Sequence, residues 1–168
     1  MNTAAPTKKQ KQDQLSANEG KWTKPLMDAG FTVLPSVILE RQQALGLDAI
    51  DVNILLHLAR HWWYADNLPH PSKITIAKCI GIDPSTVRRR IGQMEKDGLI
   101  TRVSRHDPAT GRQETNSYRF DGLITVATPF AEEAIHVKQQ RQQDAVARRN
   151  RKRPRPFTVV RGRNADAE

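Results

Sequence analysis

Cysteine is almost absent: Cys79 is the only one among 168 residues. A lone thiol cannot close an intrachain disulfide, which fits a reducing compartment, and a small buried side chain is the expected role of Cys79. Long apolar runs are missing too. None approaches the roughly 20 residues that a membrane span requires. The N-terminus MNTAAPTKKQKQDQ has no apolar core of a secretory signal. These absences predict a soluble, cytoplasmic protein with no membrane contact. Catalytic constellations are also missing. His57 and His61 are four apart, but no Glu follows the first histidine and no cysteine cluster supplies further ligands. Gly20-Lys21 lacks the earlier glycine of a phosphate loop, since position 15 is Leu15. No Ser-His-Asp set or paired carboxylates have defensible spacing. The chain is therefore expected to be no enzyme and to need no metal or cofactor.

Positive charge is what the chain has in excess, and unevenly. It carries 27 basic and 18 acidic side chains, for a formal charge of +9. Residues 30–122 hold 12 basic and 10 acidic groups, whereas residues 138–168 hold 10 and 3. The excess thus lies in a C-terminal tail, where Arg148 to Pro156 reads RRNRKRPRP and two prolines prevent helix. Such a tail favours a polyanion, nucleic acid above all.

The densest local signal runs from Ser72 to Ile100. Ser72 suits a helix N-cap, and Ile74, Ile76 and Ala77 begin an apolar face. Gly81 stands where the chain must turn sharply, a backbone conformation that glycine enters without steric cost. Asp83 then caps a second helix with Pro84 in its first position. Val87, Ile91 and Met94 form one buried stripe. Ser85, Arg88, Arg89 and Gln93 project elsewhere, with Arg89 nearly opposite the stripe and Arg90 leaning toward the core. A helix exposing hydroxyls and guanidinium groups suits the DNA major groove.

The flanks complete an architecture. Residues 1–29 read as a flexible arm in which only Trp22 could dock. Pro35 opens a helix through about Leu45, ended by Gly46. Asp48 caps another, with Ile50, Ile54, Leu55, Leu58 and Trp62 at helical spacing. Trp62, Trp63 and Tyr64 are expected to close it and pack in the core. Leu99 to His106 and Arg112 to Phe120 read as strands around the turn Asp107-Pro108-Ala109-Thr110-Gly111. Arg102, Arg105, His106 and Arg112 should cluster near the tip of this hairpin. Thr128-Pro129 marks the start of a final helix, poor in apolar positions and thus more solvated than dimer-forming. The expected fold is mainly α with a small β-hairpin. Its parts are an arm at 1–29, a winged domain at 30–122, a helix at 123–150 and a basic tail at 151–168.

The pattern resembles the winged helix-turn-helix proteins of bacteria, plasmids and phages. Its carriers are Ala77 and Gly81, Ile82, Ser85-Thr86-Val87 and Ile91, the junction Glu95-Lys96-Asp97-Gly98-Leu99-Ile100, and Asn116-Ser117-Tyr118 at the end of the wing. The resemblance spans about residues 30–125. It implies that the helix from Pro84 to Asp97 enters the major groove. Ser85, Thr86, Arg88 and Arg89 would meet bases or nearby phosphates, and Arg89 would read guanine. Lys73 would anchor a phosphate. Arg102, Arg105 and Arg112 would set the wing on the backbone or minor groove, and Arg151, Arg153 and Arg155 would add electrostatic affinity. The leading expectation is a sequence-specific double-stranded-DNA-binding transcriptional regulator. The alternatives are a plasmid or phage replication-initiation or partition protein, and a protein-interaction adaptor. RNA, or a protein of transcription or replication, remains open as a partner. A homodimer is expected, because paired recognition helices commonly read half-sites one turn apart. The helix around Val37–Leu45 and the helix from Phe130 are candidates for its interface.

Overall fold

The computed structural model describes residues 17–150. In order, its elements are α1 (Lys24–Asp28), α2 (Ser36–Glu40), α3 (Ala49–Ala59), α4 (Lys73–Ile80), α5 (Pro84–Lys96), β1 (Thr101–Val103), β2 (Ser117–Arg119) and α6 (Asp121–Arg149). The chain divides after Phe130 into two units. Among the described residues no helix is long and apolar enough to cross a membrane.

In the first unit, α3, α4 and α5 enclose a core built on Ile54, Leu55, Leu58, Ile76, Val87, Ile91 and Met94. The stripe Val87–Ile91–Met94 is buried as its spacing requires. Strands β1 and β2 form an antiparallel hairpin that pairs Thr101 with Arg119, Arg102 with Tyr118 and Val103 with Ser117. Tyr118 and Phe120 are both buried, and Phe120 stacks on Trp62 with ring centroids 5.1 Å apart. The outer side of β2 is held as well: the Tyr118 N–H donates to the Pro69 carbonyl at 2.9 Å, joining the wing to the loop before α4.

Two glycines let the wing meet α6. Gly98 ends the α5 region at φ 72. A β-carbon on Gly122 would lie 1.7 Å from the Gly98 carbonyl oxygen, so only glycine allows this approach. The Leu123 N–H then donates to the Leu99 carbonyl at 2.8 Å, and Leu123 and Ala127 are buried.

Several expectations are corrected. Residues 17–22 are helical and α1 follows, although the composition suits a flexible arm; nothing in α1 is buried, and Trp22 is exposed. Helix α2 ends at Glu40 rather than near Leu45, because residues 41–46 fold into turns that still bury Leu45. Helix α3 ends at Ala59, so the residues beyond it leave its helical phase. Trp62 stays on the core, but Trp63 and Tyr64 are 61% and 72% exposed. Ile74 and Cys79 are exposed, because α4 turns Ile76 and Ala77 inward. The strands are three residues each, extended only by an isolated bridge between His106 and Gln113. The last helix begins at Asp121, not Thr128, and carries Pro129 inside it. There the burial of Leu123 and Ala127 outweighs the backbone bond that proline cannot make. In the second unit, helix residues 131–149 are exposed almost throughout.

Candidate nucleic-acid interface

The turn between α4 and α5 is built from local chemistry. The Ser72 hydroxyl accepts from the Thr75 N–H at 3.0 Å and starts α4. Gly81 closes α4 in the left-handed region, at φ 78 and ψ 34. The Asp83 carboxylate accepts from the Ser85 N–H at 2.7 Å and starts α5. Bonds from the Ser85 hydroxyl and N–H hold the Asp83 carboxyl below its ordinary range.

The three arginines of α5 have different surroundings. Arg90 is a structural residue. Its guanidinium pairs with Asp48 and lies 3.6 Å from Asp51, tying α5 to the start of α3. Asp48 and Asp51 also cap α3 reciprocally, each carboxylate accepting from the other's N–H. Burial opposes ionisation of Asp48, but the Asp51 N–H and Arg90 outweigh it and lower its carboxyl. Burial raises the Asp51 carboxyl. Arg88 and Arg89 are exposed and have no ion-pair partner among the described residues.

The wing is fastened to the end of α5. The Arg102 Nε donates to Glu95 Oε2 at 2.7 Å, a second guanidinium nitrogen pairs with the same carboxylate, and the Arg102 N–H donates to Oε1 at 3.3 Å. The side-chain bond from Arg102 holds the Glu95 carboxyl below its ordinary range. Lys73, Arg88 and Arg102 come together here. Burial lowers the Lys73 ammonium, and the charges of Arg102 and Arg88 lower it further. The Glu95 carboxylate faces the same groups and offsets part of their charge.

Other expected contacts are engaged within the chain. The Gln93 amide donates to Asp97 at 2.9 Å, and Arg105 pairs with Glu114 at 2.9 Å. Arg102 lies in β1 at the base of the hairpin, five residues before the turn that begins at Asp107, and meets Glu95 there rather than standing at the tip. The tip is a turn in which Asp107 accepts from the Ala109 N–H and the Thr110 hydroxyl, and Gly111 takes φ 67. Arg112 follows that turn and has no ion pair among the described residues. Thr86 is half-buried in the first turn of α5. Arg151, Arg153 and Arg155 lie outside the described residues. Sequence reasoning missed Glu95 and Asp51 as partners. The signal for Glu95 was a carboxylate at the end of a helix facing the first residues of the following strand.

Residues 45–100 match the model of a family described as a helix-turn-helix domain. The chain carries a helix-turn-helix domain. The match takes in α3, α4 and α5 and stops at the residue before β1, so the hairpin lies outside it. With that hairpin, the fold is a winged helix-turn-helix. No curated protein matches the chain. Among solved structures, the N-terminal domain of DnaD from Geobacillus kaustophilus is 16% identical, with a TM-score of 0.45 over 77% of this chain and 96% of that one. MepR of S. aureus in complex with DNA is 15% identical, with a TM-score of 0.40 over 83% of this chain and 94% of that one. CouR of Rhodococcus jostii, bound to p-coumaroyl-CoA, is 20% identical, with a TM-score of 0.38 over 64% of this chain and 78% of that one.

Proposed function

We propose that this protein binds double-stranded DNA sequence-specifically as a transcriptional regulator. The observation that carries this reading is the division of labour along α5. Arg90 is locked to Asp48 and Asp51, which fixes the helix, while Arg88 and Arg89 stand exposed beside it with no ion pair among the described residues. In a helix-turn-helix domain the second helix enters the major groove. Arg89 reads a guanine edge there, and Thr86 and Arg88 contact bases or nearby phosphates. Lys73 and Arg88, which face each other beside Arg102, hold phosphate. Arg112 places the wing against backbone or minor groove. Arg102 and Arg105, each held by a glutamate, mainly shape the wing. The tail with Arg151, Arg153 and Arg155 supplies sequence-independent attraction.

Selection of bound fragments from random duplex DNA, followed by sequencing, tests the proposal. It is expected to return one recurrent site containing a guanine whose preference Arg89→Ala removes. Enrichment of no site, with equal affinity for all duplexes, would refute sequence-specific reading.

A further inference from the structure

A groove outside the helix-turn-helix face has the character of a ligand site. Three cavities adjoin where residues 29–33 pass the C-terminal end of α3, and all three are lined by Thr32 and Arg60. The largest measures about 360 Å³ and the other two about 170 and 290 Å³. These volumes suit a ligand of one or two rings.

The chemistry of the walls narrows the class. Among the described residues, no carboxylate side chain lines any of the three cavities. Arg60 is exposed and pairs with no acidic group among the described residues. His57 and His61 flank it. Burial lowers both imidazoles and the Arg60 charge lowers them further, so near neutral pH they supply hydrogen bonds rather than charge. The site therefore presents one fixed positive charge. Beside it stand aromatic faces. Phe31 meets Trp63 edge-on at 6.1 Å and 80°, and both rings remain open to solvent. Trp62 forms the inner wall, and its indole N–H is buried without a hydrogen-bond partner among the described residues. Large aromatic faces left exposed around a lone cation are costly unless something covers them.

We infer that this groove binds a small planar aromatic carboxylate, its ring on Trp63 and its carboxylate on Arg60. The geometry sets the division of roles: the guanidinium selects the anion and the indole selects a flat ring.

Calorimetric titration of the full chain with naphthoate tests this directly. Saturable binding is expected, with a Kd between about ten micromolar and one millimolar for so few atoms. Naphthalene methanol, the neutral counterpart, and the fully saturated ring acid should each bind at least about tenfold more weakly. Arg60→Gln and Trp63→Leu should each lose about tenfold or more in affinity, with melting unchanged because both side chains are exposed. Absence of saturable binding, equal binding of the neutral or saturated analogue, or unaltered affinity in both variants would overturn the inference. Tighter binding of adenosine monophosphate or of a single-stranded oligonucleotide than of naphthoate would overturn the carboxylate assignment.

Discussion

Arg89 and Arg90 are neighbours in the chain with opposite expected phenotypes, and substituting each by alanine separates folding from recognition. The Arg90 side chain is 23% exposed, and its partners Asp48 and Asp51 are 43% and 6% exposed. Removing one member of a buried ion pair costs about 3–5 kcal/mol, because the remaining charge is stranded. Arg90 and Asp48 are partly solvated, which reduces the expected loss to about 2–3 kcal/mol. For a domain of this size that lowers the melting temperature by about 10–20 °C. The deficit should shrink in acid, because Arg90 stabilises only while its partners are ionised. Asp51, already raised by burial, rises further without Arg90, so protonation at falling pH relieves the stranded charge. Arg89→Ala should leave melting within about 0.5 kcal/mol of wild type. It should instead lose about 1–3 kcal/mol of discrimination at one base pair. Circular-dichroism melts and competition binding against single-base variants of the selected site measure both axes. The reasoning fails if Arg90→Ala melts like wild type while losing base discrimination, or if Arg89→Ala destabilises the fold and leaves discrimination intact.

Three further outcomes follow from the same geometry. Among the expected contacts that are described, Lys73, Arg88 and Arg112 carry cations that have no firm ion pair and are not assigned to a base; three phosphate contacts give a log–log salt slope of about −2.7. The full chain should show a slope of about −5 to −7, and deletion of residues 151–168 should bring it to about −2.7, weakening all sequences alike; an unchanged slope would remove the tail from the interface. Gly122→Ala should cost about 2–4 kcal/mol in denaturant titration, because the new β-carbon meets the Gly98 carbonyl rather than a movable side chain; a neutral result would mean that the wing and α6 separate freely. Glu95, with its carboxyl below the ordinary value of 4.5, stabilises the fold above that value, and the contribution disappears as pH falls through its lowered one. Glu95→Gln should therefore flatten the acid side of the stability profile; a profile with the wild-type slope would show that the bond to Arg102 contributes nothing.

Much of the helix-turn-helix was legible because its determinants are local. Ser72, Gly81, Asp83 and Pro84 each act within a few residues of themselves, and the stripe Val87–Ile91–Met94 follows from helical period alone. The turn Asp107–Gly111 was legible for the same reason: its carboxylate bonds to residues two and three ahead. What failed depends on where an element stops. Periodicity carried α3 on through Trp62, Trp63 and Tyr64, but the helix ends at Ala59, and two aromatics that would otherwise continue a buried face stand in solvent. Pro129 misled in the other direction. A proline usually marks a helix start, yet α6 runs through it, because burying Leu123 and Ala127 outweighs one lost backbone bond.

The candidate site shows a sharper limit. Helical phase correctly turned Arg90 inward and Arg89 outward, since phase is a property of the helix alone. Which cations remain available for phosphate depends on partners distant in sequence. Glu95 lies seven residues before Arg102, and Glu114 nine after Arg105. Composition counts all of these arginines alike, as positive charge aimed at DNA. The fold divides them into a held set that shapes the wing and an open set that can exchange counterions for phosphate. A domain whose net charge is near zero can bind DNA this way, because affinity responds to the placement of a few unpaired cations rather than to the total.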